Sequence, residues 1–225
     1  MSLETSAFPE PPKYQQVSYL KSALLNKDLP TDSGIEVAFI GRSNAGKSSA
    51  LNVLTGIKSL ARTSNTPGRT QMINFFTLDS ERRLVDLPGY GYAKVPPTVK
   101  KRWETHVNHY LENRESLKGL VVIVDVRHPL KDLDRQMIQW AASCDLPVHV
   151  LLSKRDKLSR QQANKSLKAV CQELEGLLDS GQVTVQLFSA VDRTGVDELI
   201  SLLNSWFCDC DDCIMDEMGE ILTAE

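Results

Sequence analysis

The chain lacks any long hydrophobic run. Its longest purely apolar stretch, LVVIV from Leu120 to Val124, is far below the roughly 20 residues that a membrane helix needs. No basic start followed by an apolar block occupies the first thirty residues, so the expectation is an unexported, cytoplasmic protein with no membrane partner. Cysteine is sparse and odd in number, five residues in a chain too large to depend on staples, which favours reduced thiols over disulfides. Lys and Arg are missing altogether from residues 208 to 225, where seven acids stand. Without those seven, the rest of the chain carries 26 Lys/Arg against 22 Asp/Glu, so an overall charge of -3 becomes +4. Within it, residues 56 to 118 hold eleven Lys/Arg and six Asp/Glu, an excess that makes one side locally attractive to phosphate. On charge alone an ordinary solvated surface is the favoured reading.

What is present suits one domain, since 225 residues at 41% apolar content fill one core. Residues 1 to 34, with a short helix expected around Tyr14 to Leu25, read as an extension laid on the domain surface. Residues 35 to 207 form the domain proper, and the acidic, cysteine-bearing stretch 208 to 225 reads as a disordered tail. Between Gly34 and Phe207, strand-like runs at 35–40, 73–79, 82–86, 120–126, 147–153 and 183–189 alternate with helix-like segments. The helices are expected from Gly46, at 97–113, at 132–142, at 160–178 and at 194–207. This spacing predicts an α/β fold: a six-stranded, mostly parallel sheet with helices on both faces. Only Ser80 and Glu81 separate 73–79 from 82–86, so that pair is a hairpin and one edge strand runs antiparallel.

The stretch Gly41, Arg42, Ser43, Asn44, Ala45, Gly46, Lys47, Ser48, Ser49 fits GxxxxGK[ST] and follows the strand IEVAFI at the start of a helix. In such a P-loop the backbone N–H groups curl around phosphate, Lys47 reaches the β and γ phosphates, and Ser48 can ligate Mg²⁺. An acid ending a strand beside that loop, Asp86, is placed to hold Mg²⁺ through water, and Gly89 in Asp86, Leu87, Pro88, Gly89 can bring a backbone N–H to the γ phosphate. Ser153, Lys154, Arg155 and Asp156 resemble the [NT]KxD guanine motif. A carboxylate at Asp156 can accept from guanine N1–H and the 2-amino group but faces the unprotonated N1 of adenine, a kind of discrimination worth roughly 10⁴ to 10⁵. Phe188, Ser189 and Ala190 end the next strand, where such proteins offer a backbone N–H to guanine O6. Between the P-loop and Asp86, the polar loop at 65–71 contains Gly68, Arg69 and Thr70. Thr70 is the preferred candidate to complete Mg²⁺ coordination, with Thr66 as competitor.

Five loops in one order, GRSNAGKS, GRTQ, DLPG, SKRD and FSA, resemble a translation-factor-type GTPase of the Era and TrmE branch. More narrowly, PGRTQ followed by INFF, together with VDLPGYGYAKVP, is similar to the EngB family (also called YihA or YsxC) over about residues 8 to 207. Serine at 153 and Arg155 depart from the family's usual TKAD, and the tail matches no family motif. The resemblance implies a P-loop G domain that binds GTP/GDP with Mg²⁺. It further implies a switch in assembly of the large (50S) ribosomal subunit, required for normal cell division and septation. The implied partner is a large-subunit precursor, its ribosomal RNA and proteins, with the chain itself a monomer. Lys94, Lys100, Lys101 and Arg102, with Arg69, then become candidates for RNA phosphate contact. Tyr90 stands where Ras-like enzymes place a water-orienting glutamine, which implies slow intrinsic hydrolysis. Assignments for catalysis are Lys47, Asn44 and Thr70, with Asn44 a candidate to hold K⁺ as in potassium-activated relatives. Two other classes remain open: an ATP-dependent small-molecule kinase, and a nucleotide-binding module without turnover. Two smaller clusters, the tail thiols Cys208, Cys210 and Cys213 and the helical pair His106 and His109, read as a solvated tail and an ordinary helix surface.

Overall fold

A computed structural model describes residues 10–61, 72–90 and 97–208, with side chains from 105 onward in the last segment. Its strands are β1 (Ser18–Ala23), β2 (Ile35–Gly41), β3 (Ile73–Thr77), β4 (Arg82–Asp86), β5 (Leu117–Asp125), β6 (Val148–Ser153) and β7 (Val183–Leu187). The helices are α1 (Lys47–Thr55), α2 (Pro97–Asn113), α3 (Asp132–Ser143), α4 (Arg160–Glu173), α5 (Glu175–Leu178) and α6 (Val196–Phe207). The sheet order is β1-β3-β4-β2-β5-β6-β7.

The central strands are buried on both sides, which is why they read as continuous apolar runs rather than alternating ones. Successive residues of a strand still face opposite ways. Ala38 and Ile40 of β2 therefore join Val122 and Val124 in one core layer with Tyr110 of α2, Ile138 of α3 and Val170 of α4. Val37 and Phe39 join Val121 and Ile123 in the other, under Leu51 and Leu54 of α1 and Leu199, Leu203 and Phe207 of α6.

Four expectations need correction. The sheet has seven strands, and the residues expected to form a helix around Tyr14 to Leu25 instead make a short 3-10 turn at Tyr14–Gln16 and then β1. β1 pairs antiparallel with β3, Ala23 opposite Ile73 and Ser18 opposite Thr77. It covers the backbone groups that β3 would otherwise present as an open edge. The hairpin between β3 and β4 forms with Asn74 opposite Asp86, so β3 is the one antiparallel strand of the sheet, but it lies inside β1 and is not the edge. Its turn is held by Asp79, which accepts from the N–H groups of Glu81 (3.0 Å) and Arg82 (2.9 Å). The helix expected over 160–178 breaks at Leu174 into α4 and α5.

At the N-terminal edge of the sheet Glu36, fully buried, accepts from Arg114 (2.7 and 2.9 Å), Tyr110 (2.9 Å) and Arg83 (3.1 Å). Arg114 also donates to the carbonyls of Pro30 (2.9 Å) and Thr31 (3.1 Å), tying the segment before β2 to that edge. A buried carboxylate with this many donors is satisfied, and its work is structural.

Candidate nucleotide site

The C-terminal ends of β2, β4, β5, β6 and β7 converge on one edge, where the connection after β2 runs towards β3 and that after its neighbour β5 runs the other way towards β6, the place at which an open α/β sheet offers its ligand crevice. β2 runs into the P-loop. A Cβ at Gly41 would lie 2.5 Å from the carbonyl oxygen of Ile123, so only glycine lets β2 end this close to β5. Gly46 has φ +111° and caps α1, which begins at Lys47. The loop thus turns on a residue without a side chain and leads straight into a helix N-terminus, whose first N–H groups point away from the helix body. Asn44 also takes a left-handed φ of 63°, a conformation asparagine tolerates, and its side chain is exposed.

Asp86 closes β4 opposite Phe39 and is nearly buried at 5% exposure. Lys47 Nζ pairs with one of its oxygens, and Asn74 Nδ2 donates to the other at 3.2 Å. Leu87 N–H donates to the Phe39 carbonyl at 2.9 Å, so the start of DLPG is fixed to the strand that carries the P-loop. A hydroxyl at Ser48 and a carboxylate at Asp86 are hard oxygen donors of the kind Mg²⁺ takes, so the residues fit that ion.

On the far side, Ser153 is buried, with its hydroxyl between the carbonyls of Ala45 in the P-loop and Val124 of β5, 3.1 Å from the latter. Lys154 takes φ 62° and sends its ammonium to the Asn44 carbonyl and to Asp125 Oδ2 at 2.9 Å. Arg155 N–H donates to the Phe188 carbonyl at 3.0 Å, which joins the SKRD and FSA loops. Asp156 Oδ1 accepts from Ser189 Oγ at 2.9 Å, and its Oδ2 faces Lys157 at 3.1 Å. Partial burial acts to raise the Asp156 pKa, but hydrogen bonds from Lys157 and Ser189 outweigh it and hold the carboxyl below its ordinary value. Ser189 in turn accepts from the N–H groups of Val191 (3.2 Å) and Asp192 (3.3 Å), so one hydroxyl shapes its own loop and aims the acid.

Gly41 to Ser49, Asp86 to Gly89, Ser153 to Asp156 and Phe188 to Ala190 therefore meet on one edge. Thr66, Gly68, Arg69, Thr70 and Lys94 lie outside the described residues, as do the side chains of Lys100, Lys101 and Arg102. The expectation of an ordinary helix surface holds for His109, which is exposed, and fails for His106, which is buried against Asn26. Among the described residues no group of three or more His, Cys, Asp or Glu is arranged to hold a metal ion. A cavity of about 480 Å³ opens at the opposite edge, near Leu117, Pro147 and Trp206, away from all these loops.

Sequence reasoning missed Asp125 and Asn74. Asp125 ends β5 in register with Ser153 and accepts from Lys154 and, at 2.6 and 2.9 Å, from Arg127. Burial works to raise its pKa, yet these two cations and the Arg127 N–H hold it far below the usual carboxylate range. Its place at the end of a central strand, like that of Asp86, was the one hint; its partners are set by strand register and not by local spacing.

A family model described as a 50S ribosome-binding GTPase matches residues 36–154. A probable GTP-binding protein EngB from Coxiella burnetii (strain RSA 331 / Henzerling II) is 58% identical over 200 residues, covering 89% of this chain and 97% of the relative. Its counterpart in Glaesserella parasuis serovar 5 is 53% identical over 196 residues, covering 87% and 93%. In fold, the chain is similar to the crystal structure of a probable GTP-binding protein engB, with TM-score 0.62 and 22% identity over 76% of this chain and 98% of that one. It is similar in the same sense to Era in complex with MgGDPNP and nucleotides 1506-1542 of 16S ribosomal RNA, with TM-score 0.61 and 21% identity over 83% and 61%.

Proposed function

Since the chain belongs to the EngB family of GTP-binding proteins, a GTPase family, we propose that its GTP hydrolysis drives a switch in assembly of the large ribosomal subunit, with division and septation depending on it. The observation that carries the reading is the Asp156–Ser189 pair facing the same edge as the P-loop: one end of the edge suits guanine, the other a polyphosphate. Family membership also decides against the kinase and the binding-only module.

The chemistry follows from what each residue must do. Lys47 leaves Asp86 for the β and γ phosphates, so one movement delivers a cation to the developing charge and frees a carboxylate for the water shell of Mg²⁺. Ser48 and Asp86, the latter through water, would hold Mg²⁺ with Thr70 as third donor, and the ion would supply positive charge against the charge that develops on the β and γ phosphates. P-loop N–H groups cradle the phosphates, the Gly89 N–H senses the γ phosphate, and Asp156 selects guanine. Slow intrinsic turnover is part of the proposal, and Asn44, exposed on the P-loop, is its site for K⁺.

Large-subunit binding is supported by the description of the matching family model, and RNA as one target by the basic residues of 56–118. The protein works in this reading as a cytoplasmic monomer; among the described residues no helix is long and apolar enough to cross a membrane. Sedimentation of cell extract on sucrose gradients tests it. With a non-hydrolysable GTP analogue the protein should travel with large-subunit particles, and with GDP it should stay near the top; equal distributions would remove the switch.

A further inference from the structure

Tyr90 follows Gly89 directly, and the structure turns it away from solvent, to 4% exposure. Its hydroxyl donates to Asp134 Oδ1 at 2.6 Å. Asp134 is fully buried, and its Oδ2 accepts the Lys131 N–H at 2.9 Å, at the start of α3. A carboxylate placed that deep is costly unless donors satisfy it, so the tyrosine hydroxyl is a built contact. The backbone of Tyr90 is equally committed: its N–H donates to the Gly41 carbonyl at 3.1 Å, and its carbonyl accepts from Ser43 N–H of the P-loop at 3.1 Å. The turn after β4 is therefore anchored at Leu87, on Phe39, and again at Tyr90. Only Pro88 and Gly89 lie between, and Pro88 has a fixed φ.

We propose that Asp134, acting through the Tyr90 hydroxyl, is a positioning residue of the GTPase: it sets where the Gly89 N–H lies relative to the P-loop and so tunes recognition of the γ phosphate. GDP, which has no γ phosphate, is read by the P-loop and by the SKRD and FSA loops and does not depend on this tether. The inference rests on the reading of this edge as the GTP site. Burial, then the neighbouring Asp134 charge, hold the phenol well above its ordinary pKa, which keeps it a donor at all working pH values.

Three variants of the full chain separate positioning from stability. Tyr90→Phe removes the tether but leaves the α3 cap; Asp134→Ala removes both; Asp134→Asn keeps an acceptor for the hydroxyl while weakening the cap. Calorimetry with GDP and with a non-hydrolysable GTP analogue, together with single-turnover hydrolysis, supplies the readout. Tyr90→Phe and Asp134→Ala should bind GDP within about threefold of the parent, while analogue affinity and hydrolysis rate fall about tenfold, the range for loss of one hydrogen bond to a charged group. Asp134→Asn should keep the analogue-to-GDP ratio within about threefold of the parent, whatever its melting temperature, because the hydroxyl retains an acceptor. Equal shifts of both ligands in Tyr90→Phe, or no shift, overturn the proposal; so does an Asp134→Asn ratio displaced as far as that of Tyr90→Phe. Failure of the parent protein to bind either guanine nucleotide would instead sink the site assignment itself.

Discussion

Asp156 is held from two sides, by Ser189 and by Lys157, and the two partners differ in what their loss removes. Lys157 is an exposed cation in water and contributes little to aim. Ser189 is buried and also shapes the loop at 191–192 through two backbone N–H groups. Ser189→Ala should therefore weaken GDP binding by about 1–2 kcal/mol, read by calorimetry, while Lys157→Ala stays within about 0.5 kcal/mol of the parent. Asp125 acts one layer further out. With Asp125→Ala, Lys154 keeps its bond to the Asn44 carbonyl but loses its anionic partner, and GDP affinity should fall roughly tenfold, or about 1.4 kcal/mol. Hydrolysis rates in K⁺ and Na⁺ test Asn44: faster turnover in K⁺, lost in Asn44→Ala, is the expected pattern. Of these residues, Lys47, Asp86 and Asp156 were legible because each sits in a spaced pattern whose chemistry is known. Asp125 was not, because its role depends on a strand register that brings it beside Ser153, and no local spacing announces that.

At the scale of elements, the alternation of strand and helix from Gly34 onward was readable because buried parallel strands leave continuous apolar runs and helices leave longer mixed ones. β1 was not. Only the last of its residues SYLKSA is buried, so no alternating buried face marks a strand; what makes them one is the open edge of β3. The extension is anchored from outside the sheet too: Tyr14 is buried and its hydroxyl donates to Asn204 Oδ1 of α6 at 2.9 Å. Tyr14→Phe should lower unfolding free energy by about 1 kcal/mol in urea titration. Removing residues 1–24 should cost several times that and promote association through the uncovered edge, visible by light scattering. Ordinary stability in the shortened chain would mean that β1 is decoration.

For the whole molecule, pH gives the sharpest handle. His149 is buried on β6 with Nδ1 2.8 Å from Thr184 Oγ1, and its Nε2 has no partner. Burial lowers its pKa from 6.5 to about 4, with Gln186 working the other way. The unfolded chain therefore takes up this proton at higher pH than the folded one. Its contribution is fully present above pH 6.5 and is lost as pH falls towards about 4, at most about 3 kcal/mol over that window. His106, lowered chiefly by burial, acts in the same direction. Urea titrations between pH 7 and 4 should show stability falling with pH, and a His149→Leu variant should show a shallower fall. A parent protein equally stable across the window would mean that the imidazole finds water.

The Ser153 hydroxyl sits where three stretches of chain come together, between the Ala45 carbonyl of the P-loop and the Val124 carbonyl of β5, at the start of the segment that carries Asp156. Whatever tilts one end of that crevice is felt at the other, so guanosine and pyrophosphate supplied as separate fragments should not sum to the grip on the intact nucleotide. Linking the fragments supplies part of that surplus in any site; the part that passes through this hydroxyl should vanish in Ser153→Ala, which lowers the surplus more than it lowers binding of either fragment.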